Sequence, residues 1–328
     1  MEDLNSDQLF TIASSSHFND TALELFRFQA EKCSVYRNYV KALGIQASAI
    51  SEVEKIPFLP IEFFKSHDVI LEASKAEIIF TSSGTSGQTP SRHLVSDISL
   101  YRKSFTKGFE YFYGSAEDYC ILALLPSYMD REGSSLIMMA KELMELSGHQ
   151  ENEFYLNDFD ALVKVLKKLK KNGQKTLLIG VTFGLLDLLE KHQFEFPELI
   201  VMETGGMKGR REELTRKEVH AIIKKGSGID NVHSEYGMTE LLSQAYSTGD
   251  GIFNCPPWMK VLARDINDPF AYTTTGKTGG LNIIDLANLN SCAFIATQDL
   301  GRVFENGSFE VLGRYDNSDV RGCNLMVV

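Results

Sequence analysis

The chain has 328 residues, of which 43% are hydrophobic and 23% are charged, and its formal net charge is −11. These totals fit one or two globular domains with a large core, and the acidic balance argues against a nucleic-acid-binding surface, which needs a basic face. No apolar stretch approaches the roughly 18 residues of a membrane span, and the acidic start lacks the order of a secretory signal, so we expect a cytoplasmic protein without a membrane span.

Residues 1 to about 50 are predicted to form helices. Apolar positions at helical spacing run from Thr21 to Leu43 and stop at Gly44. Pro57 and Pro60 then interrupt an apolar run, because proline fits neither a regular helix nor a central strand. We therefore expect an extended segment there, followed by a short helix.

Residues 78–91 join a short apolar run to a loop built of Ser, Thr and Gly. Ile78 to Phe80 is predicted to be a strand, and a helix is predicted from Ser96 onward. The loop offers hydroxyl and backbone N–H groups, which suit an anionic ligand such as a nucleotide triphosphate. A flexible Ser/Gly linker has the same composition, but the elements on both sides favour an ordered loop. It is not the common P-loop, because Gly87 is followed by Gln88 rather than by Lys.

Strands and helices alternate up to about residue 250, as they do in a mixed α/β domain. Strands are predicted at 119–125, 175–181, 199–203 and 229–234, and helices at 96–113, 134–146, 182–192 and 210–225. From about residue 251 the pattern is β, with strands predicted at 261–264, 280–285, 293–297, 302–305 and 308–312. Asn306-Gly307, between the last two strands, predicts a hairpin.

Three later stretches carry groups that suit a nucleotide. Tyr236, Thr239 and Glu240 follow a predicted strand, and they could stack on a base, bond a phosphate or carboxylate, and hold Mg²⁺. A strand-to-helix turn capped by Thr239 is the plain alternative. Asp299, in a predicted turn between strands, could bind ribose hydroxyls or simply stabilise the turn. Arg314, at a predicted strand end, could reach ribose or phosphate or pair with a surface acid.

The order of these motifs resembles the adenylate-forming (acyl- and aryl-CoA synthetase-like) superfamily. A Ser/Thr/Gly loop, Tyr-Gly-x-Thr-Glu, Thr-x-Asp-Leu-Gly and Gly-Arg-x-Asp follow one another across residues 80–316. Within that superfamily the chain is most similar to the acyl-protein synthetases of the bacterial bioluminescence (LuxE) type, on the stretches 56–67, 204–210 and 316–325. The resemblance covers nearly the whole chain.

This resemblance implies an α/β fold, the large N-terminal domain of an adenylate-forming enzyme, as a single domain over residues 1–328. It would comprise a helical segment at 1–75, an α/β core with the nucleotide loops at 76–250, and a β-rich section at 251–328. Family members usually continue with a small C-terminal lid domain of about a hundred residues that supplies a catalytic lysine. Only twelve residues follow Asp316 here, so we expect the lid domain to be absent.

The resemblance also implies ATP and Mg²⁺ as cofactors. The loop would hold the β- and γ-phosphates, Gly205 and Gly206 would line the adenine, Thr239 would contact the α-phosphate and the substrate carboxylate, and Glu240 would bind Mg²⁺. Gln298 stands where the superfamily usually has Gly, next to the residue expected to bind ribose. The implied ATP-binding residues are Thr81, Ser82, Ser83, Gly84, Thr85, Ser86, Gly87, Gly205, Gly206, Tyr236, Gly237, Met238, Thr239, Asp299 and Arg314.

Two further residues are candidates for catalysis. Cys323, in Arg-Gly-Cys-Asn-Leu, matches the cysteine near the C-terminus that accepts the acyl group as a thioester in the resembled family. Lys208 is a candidate to replace the lysine of the absent lid domain, although a solvated lysine is the commoner case. The other cysteines are expected to be small buried apolar residues. They are Cys33, Cys120, Cys255 and Cys292.

The predicted function is ATP-dependent activation of a carboxylic acid, by resemblance a fatty acid, to acyl-AMP. The acyl group would pass to Cys323 and then to a partner protein similar to an acyl-CoA reductase. One alternative is a ligase that passes an acyl or aryl adenylate directly to CoA or an amine, and another is a non-catalytic nucleotide- or acyl-binding subunit. Three apolar residues of the helix at 134–146 could line an acyl channel or could belong to the core. They are Leu136, Ile137 and Met139.

Overall fold

The computed structural model describes residues 6–82, 89–125, 133–205 and 214–314. The helices are α1 (Ser6–Leu9), α2 (Ser15–Lys32), α3 (Ser34–Ala42), α4 (Phe63–Ser66), α5 (Ile98–Tyr113), α6 (Ser135–Ser147), α7 (Phe159–Lys171), α8 (Thr182–Lys191) and α9 (Arg216–Ser227). The strands are β1 (Leu59–Pro60), β2 (Ile78–Thr81), β3 (Arg92–Val95), β4 (Cys120–Leu124), β5 (Glu153–Phe154), β6 (Thr176–Gly180), β7 (Ile200–Glu203), β8 (His233–Tyr236), β9 (Ala245–Ser247), β10 (Ile252–Phe253), β11 (Met259–Arg264), β12 (Thr278–Asp285), β13 (Phe294–Val303) and β14 (Phe309–Arg314).

The alternating half of the chain forms a sheet in the order β5-β4-β6-β7-β8-β9, in which every pair except β8–β9 is parallel. Successive side chains of a strand point to opposite faces. Ile121 and Ala123 of β4 therefore join the core beneath α5 and α6, whereas Leu122 and Leu124 join the core beneath α7, α8 and α9. Helices on both faces explain why β4 and β6 are apolar throughout.

The later part of the chain forms a second sheet in the order β10-β14-β13-β12-β11, with antiparallel neighbours. The segment around the two early prolines adds β1 to this sheet, in parallel with β13. Gln29 of α2 also attaches the N-terminal helices, because its amide donates to the carbonyls of Asn288 and Leu289 and accepts from the N–H of Ala293. The predicted hairpin at Asn306-Gly307 joins β13 to β14.

The prediction of a turn at Asp299 was wrong. Residues 294–303 form one continuous strand, so Asp299 lies within β13 rather than in a turn. Its polar neighbours resemble a turn in the sequence, but the strand alternates buried and exposed positions and absorbs a bulge between Leu300 and Gly301. Gly301 permits the bulge, since an added Cβ would lie 2.2 Å from the carbonyl oxygen of Glu310.

The strand before the Ser/Thr/Gly loop and the helix after it are present as predicted, and an additional strand, β3, pairs antiparallel with β2 before α5 begins. The structure excludes the alternative of a strand-to-helix turn at this motif, because Tyr236 is the last residue of β8. The chain turns after Gly237 and runs back as β9, so Thr239 does not cap a helix. In addition, α9 begins at Arg216, later than predicted, behind a capping box formed by Thr215 and Glu218.

Candidate active site

The carboxyl ends of β6, β7 and β8 meet at one edge of the parallel sheet, which is where ligands bind in open α/β sheets. Glu203 at the end of β7 is paired with Ser234 of β8, so Gly205 and Gly237 follow neighbouring strands. Gly205 has a φ of 77°, and a Cβ added to it would meet nothing within 4 Å. The backbone at the predicted adenine position is therefore open to a ligand.

Tyr236, Asp299 and Arg314 come together beside this edge. The Tyr236 hydroxyl donates to Asp299 Oδ2 at 2.6 Å, and Arg314 Nε donates to Asp299 Oδ1 at 3.2 Å. Asp299 and Arg314 are directly opposite each other on β13 and β14. The Tyr236 ring packs edge-on against Phe253 and Phe309, with ring centroids 5.8 and 5.4 Å away. The three residues predicted to surround adenosine are thus one hydrogen-bonded group.

Gln298 departs from the superfamily pattern, but its side chain is directed away from this group. Its amide donates to Glu62 Oε1 at 2.6 Å, whereas Asp299 faces Tyr236 because adjacent strand residues point to opposite faces. The backbone N–H of Asp299 donates to Thr297 Oγ1 at 3.1 Å. The substitution therefore leaves the surroundings of the Asp299 carboxylate intact.

Glu240 is buried, with 5% of its surface exposed, and burial raises the pKa of its carboxyl group. Ser91 and Arg314 lower the pKa of Glu240, and the negative charge of Asp299 raises it. All three residues therefore lie close to the Glu240 carboxyl group. Mg²⁺ is usually held by one or two carboxylates together with phosphate oxygens. Within the described ranges, no three His, Cys, Asp or Glu residues form a metal cage. Glu240 therefore fits a magnesium ion that is shared with a nucleotide.

The two ends of the Ser/Thr/Gly loop are joined beside Glu240. The N–H of Ser82 donates to the carbonyl of Ser91 at 3.1 Å, and the N–H of Ser91 donates to Ser82 Oγ at 2.8 Å. Thr81, the last residue of β2, donates its N–H to the carbonyl of Gly133. The base of the predicted phosphate loop and the predicted magnesium ligand are therefore neighbours. Eight predicted site residues lie outside the described residues: Ser83, Gly84, Thr85, Ser86, Gly87, Gly206, Lys208 and Cys323.

The segment from Thr239 to Ser243 is fixed by residues that the sequence analysis did not identify. His93 of β3 donates from Nδ1 to the Thr239 carbonyl at 2.8 Å, and Asn288 Nδ2 donates to the Glu240 carbonyl at 2.8 Å. Asp285 accepts bonds from the N–H groups of Leu242 and Ser243 and from the Ser243 hydroxyl. These contacts to backbone groups hold Thr239 and Glu240 in place, while Gly237 is exposed and Met238 packs partly into the core.

His93 is neutral in the folded protein. It is 1% exposed, and burial lowers its pKa to about 4 despite the bond to Thr239. The carbonyl only accepts hydrogen bonds, so Nδ1 carries the proton, and Nε2 has no partner among the described residues. Protonation would place an unpaired charge in the core beside Thr239.

We expect acid to destabilise the protein through His93, and a His93→Asn variant to lack this effect. The unfolded chain takes up a proton near pH 6.5 and the folded protein only near pH 4. The stability that depends on neutral His93 is thus complete above about pH 6.5 and is lost as the pH falls to 4, by about 3 kcal/mol. Urea unfolding at pH 7.5, 6 and 5 should show wild type approaching the variant as the pH falls. A constant difference between the two proteins would contradict this assignment.

The remaining candidates are mainly structural. Met139 is 1% exposed, and Leu136 and Ile137 pack partly buried against the same core. Cys33, Cys120 and Cys292 are fully buried, as predicted. Cys255 is partly exposed, yet burial raises its pKa to about 12, as it does for Cys120. These four thiols are protonated near neutral pH and are poor nucleophiles.

The chain has the fold of adenylate-forming ligases. It is similar to 2-hydroxyisobutyryl-CoA ligase, solved in an open conformation with 2-HIB-AMP and CoA, with a TM-score of 0.67 and 13% identity, over 92% of this chain and 70% of the ligase. The same ligase in its thioesterification state matches with a TM-score of 0.66 and 14% identity, over 93% of this chain and 70% of the ligase. ATP-bound MatB from Rhodopseudomonas palustris matches with a TM-score of 0.51 and 20% identity, over 72% of this chain and 47% of MatB.

The family model of the acyl-protein synthetase LuxE matches residues 8–328. The chain therefore belongs to the LuxE acyl-protein synthetase family, which confirms the resemblance found in the sequence. No curated protein matches the chain at a significant level. Across the described ranges, none of the helices combines the length and apolar character that crossing a bilayer demands.

Proposed function

We propose that this protein uses ATP to activate a carboxylic acid as acyl-AMP and transfers the acyl group to its own Cys323 and then to a partner protein. The proposal rests mainly on the closeness of the predicted phosphate loop, the predicted magnesium ligand and the predicted ribose-binding residues. The base of the Ser/Thr/Gly loop adjoins Glu240, and Glu240 interacts electrostatically with Asp299 and Arg314. The groups needed for phosphates, metal and ribose therefore surround one space.

ATP is a substrate of this reaction, and each of its parts has candidate partners. Asp299 would accept hydrogen bonds from the ribose hydroxyls, and Arg314 would support it. The loop that begins at Ser82 would hold the terminal phosphates, and Glu240 would hold Mg²⁺. Bound there, Mg²⁺ would offset the negative charge that builds on the phosphates.

The first step makes the carboxylate reactive. One of its oxygens attacks the α-phosphorus, the bond from that phosphorus to the bridging oxygen of the β-phosphate breaks, and pyrophosphate leaves. Thr239, held by His93 and supported by the bonds to Glu240 and Ser243, would orient the carboxylate for this attack. The product is a mixed anhydride, whose acyl carbon is more electrophilic than that of the free acid.

The second step transfers the acyl group. The Cys323 thiol loses its proton to solvent, its sulfur attacks the acyl carbon, and AMP leaves with the electrons of the broken C–O bond. Membership in a family of acyl-protein synthetases supports transfer of the acyl group to protein. The choice of Cys323, of a fatty acid and of an acyl-CoA reductase-like acceptor rests on the sequence resemblance described above. A nucleophile on the partner would then displace the Cys323 thiolate.

The test is exchange of labelled pyrophosphate into ATP in the presence of Mg²⁺ and a panel of carboxylic acids. We expect exchange that depends on the acid, followed by an acyl-protein adduct that hydroxylamine removes. A direct ligase would show exchange with no such adduct, and a non-catalytic binding subunit would bind ATP with no exchange. Either result would refute the corresponding step of the proposal.

A further inference from the structure

Glu235 faces the side of β8 opposite to the predicted nucleotide site. Adjacent strand residues point to opposite faces, so Tyr236 reaches Asp299 whereas Glu235 points toward α5. Glu235 is paired across the strands with Tyr246 of β9, which places both side chains on the same face. The two residues therefore share the face of the sheet edge that is directed toward α5.

The Glu235 carboxyl group is enclosed between the sheet edge and α5. Tyr101, Tyr113 and Tyr246 lie close enough to interact with it electrostatically, and burial raises its pKa to about 8. Among the described residues, none forms a hydrogen bond or ion pair with it, although part of its surface remains accessible. An enclosed carboxyl group without partners is costly and calls for an explanation.

Two other polar groups beside Glu235 also lack partners. The side chain of Gln244 is buried, and its Oε1 forms no hydrogen bond with any described residue. A Cβ added to Gly237 would lie 2.3 Å from Glu235 Oε1 and 3.4 Å from Gln244 Cγ, so both side chains flank the exposed Gly237 backbone. The hydroxyl of Tyr246, which is 1% exposed, likewise bonds to nothing in the described ranges.

A purely structural role does not explain this arrangement. Asp285 is a buried carboxylate with a structural role, and it accepts four bonds from Leu242, Ser243 and Ala287. The neighbouring tyrosines of α5 are also satisfied, since Tyr101 donates to the carbonyl of Ser135, and Tyr113 bonds to His233. Other buried polar atoms, among them His93 Nε2 and Ser234 Oγ, also lack a partner in the described part of the chain, but Glu235 and Gln244 lie together and flank the exposed Gly237 backbone.

We propose that Glu235, Gln244 and Tyr246 bind a hydrogen-bond-donating substituent, a hydroxyl or an ammonium group, close to the carboxyl end of the acid substrate. This inference rests on the proposed function, which puts the reacting carboxylate at Thr239, two residues beyond Gly237. The substrate would then extend across Gly237, from the nucleotide side of β8 to the Glu235 side. An unsubstituted alkyl chain would leave the three polar groups dehydrated and unpaired.

The test compares butanoic, octanoic and dodecanoic acids with their 2- and 3-hydroxy and 2- and 3-amino derivatives. The readouts are kcat/KM for pyrophosphate exchange and, without ATP, the Kd from calorimetry. We expect at least one substituted series to exceed the alkyl series by about tenfold or more, and Glu235→Met to remove that preference. Glu235→Gln should keep a preference for the hydroxyl group and lose one for the ammonium group. Glu24→Met, on the exposed face of α2, serves as the control and should change neither.

If exchange occurs and the unsubstituted acids have a kcat/KM equal to or higher than that of every substituted series, this inference is overturned and the proposed function stays intact. A folded Glu235→Met variant that keeps the wild-type preference would do the same. If none of the acids tested supported pyrophosphate exchange, the proposed function and this inference would both be refuted. Circular dichroism melting curves establish that each variant is folded.

Discussion

A Cys323→Ser variant is expected to catalyse acid-dependent pyrophosphate exchange at the wild-type rate while its acyl-protein adduct falls to background. Exchange requires only the adenylation step, whereas the adduct requires the thiolate. A serine hydroxyl is a weak nucleophile without an adjacent base. Intact-mass spectrometry after incubation with Mg-ATP and the acid measures the adduct, and hydroxylamine identifies it as a thioester.

Cys255→Ser is the matched control for this experiment. Cys255 is partly exposed, but burial raises its thiol pKa to about 12, so it should not compete for the acyl group. The control variant should keep both exchange and adduct. If Cys323→Ser protein acquires as much acyl label as wild type, Cys323 is not the acceptor. If Cys255→Ser loses the adduct, the role belongs to that residue.

Replacing Glu240 with Gln should reduce pyrophosphate exchange by about 10²- to 10³-fold, the effect of removing one preorganised electrostatic group from an active site. The folded protein should be no less stable than wild type. Burial raises the Glu240 pKa, so the ionised carboxylate destabilises the folded state as the pH rises, and a neutral isostere removes that effect. Loss of activity together with unchanged or increased stability at pH 8 would distinguish a functional carboxylate from a structural one.

The control for this comparison is Glu142→Gln on α6, because Glu142 forms only a surface ion pair with Arg102. That variant should keep wild-type exchange and change stability by less than about 1 kcal/mol. A Glu240→Gln protein with full exchange would remove Glu240 from the metal site. One that unfolds more readily than wild type at pH 8 would indicate a structural role for the carboxylate.

The candidate nucleotide site could be predicted from the sequence to a useful extent. Asp299 lies seven residues before Asn306, and Arg314 lies seven residues after Gly307. A hairpin centred on this dipeptide predicts that the two residues face each other. They do so in the structure, but Val303 pairs with Phe309 next to the turn, and the register shift between Leu300 and Gly301 is what brings Asp299 opposite Arg314. The sequence indicates the hairpin and both residues, but the polar neighbours of Asp299 favour a turn there instead of a strand. Register shifts against both neighbouring strands keep β13 continuous, and local composition does not reveal them.

The residues that hold the catalytic segment could not be predicted in the same way. His93 is 146 positions from Thr239, and Asn288 is 48 from Glu240. Both bind backbone carbonyls, which every residue possesses, so no side-chain motif marks their partners. Glu235 belongs to the motif at residues 234–240, but its burial without a partner among the described residues results from the packing of α5 and β9 around it. Such contacts follow from the packing of distant elements rather than from any local pattern.

The Asp299 carboxylate has a limited acceptor capacity. Its two oxygens together offer about four lone-pair positions. Among the described residues, the side chains of Tyr236 and Arg314 occupy one position on each oxygen and leave one on each without a side-chain donor. A ribose has two neighbouring hydroxyls, so a nucleoside could fill both vacancies without displacing either protein donor. If Asp299 binds ribose as proposed, Tyr236 and Arg314 already fix the orientation of its carboxylate, and binding would need little rearrangement of these three side chains.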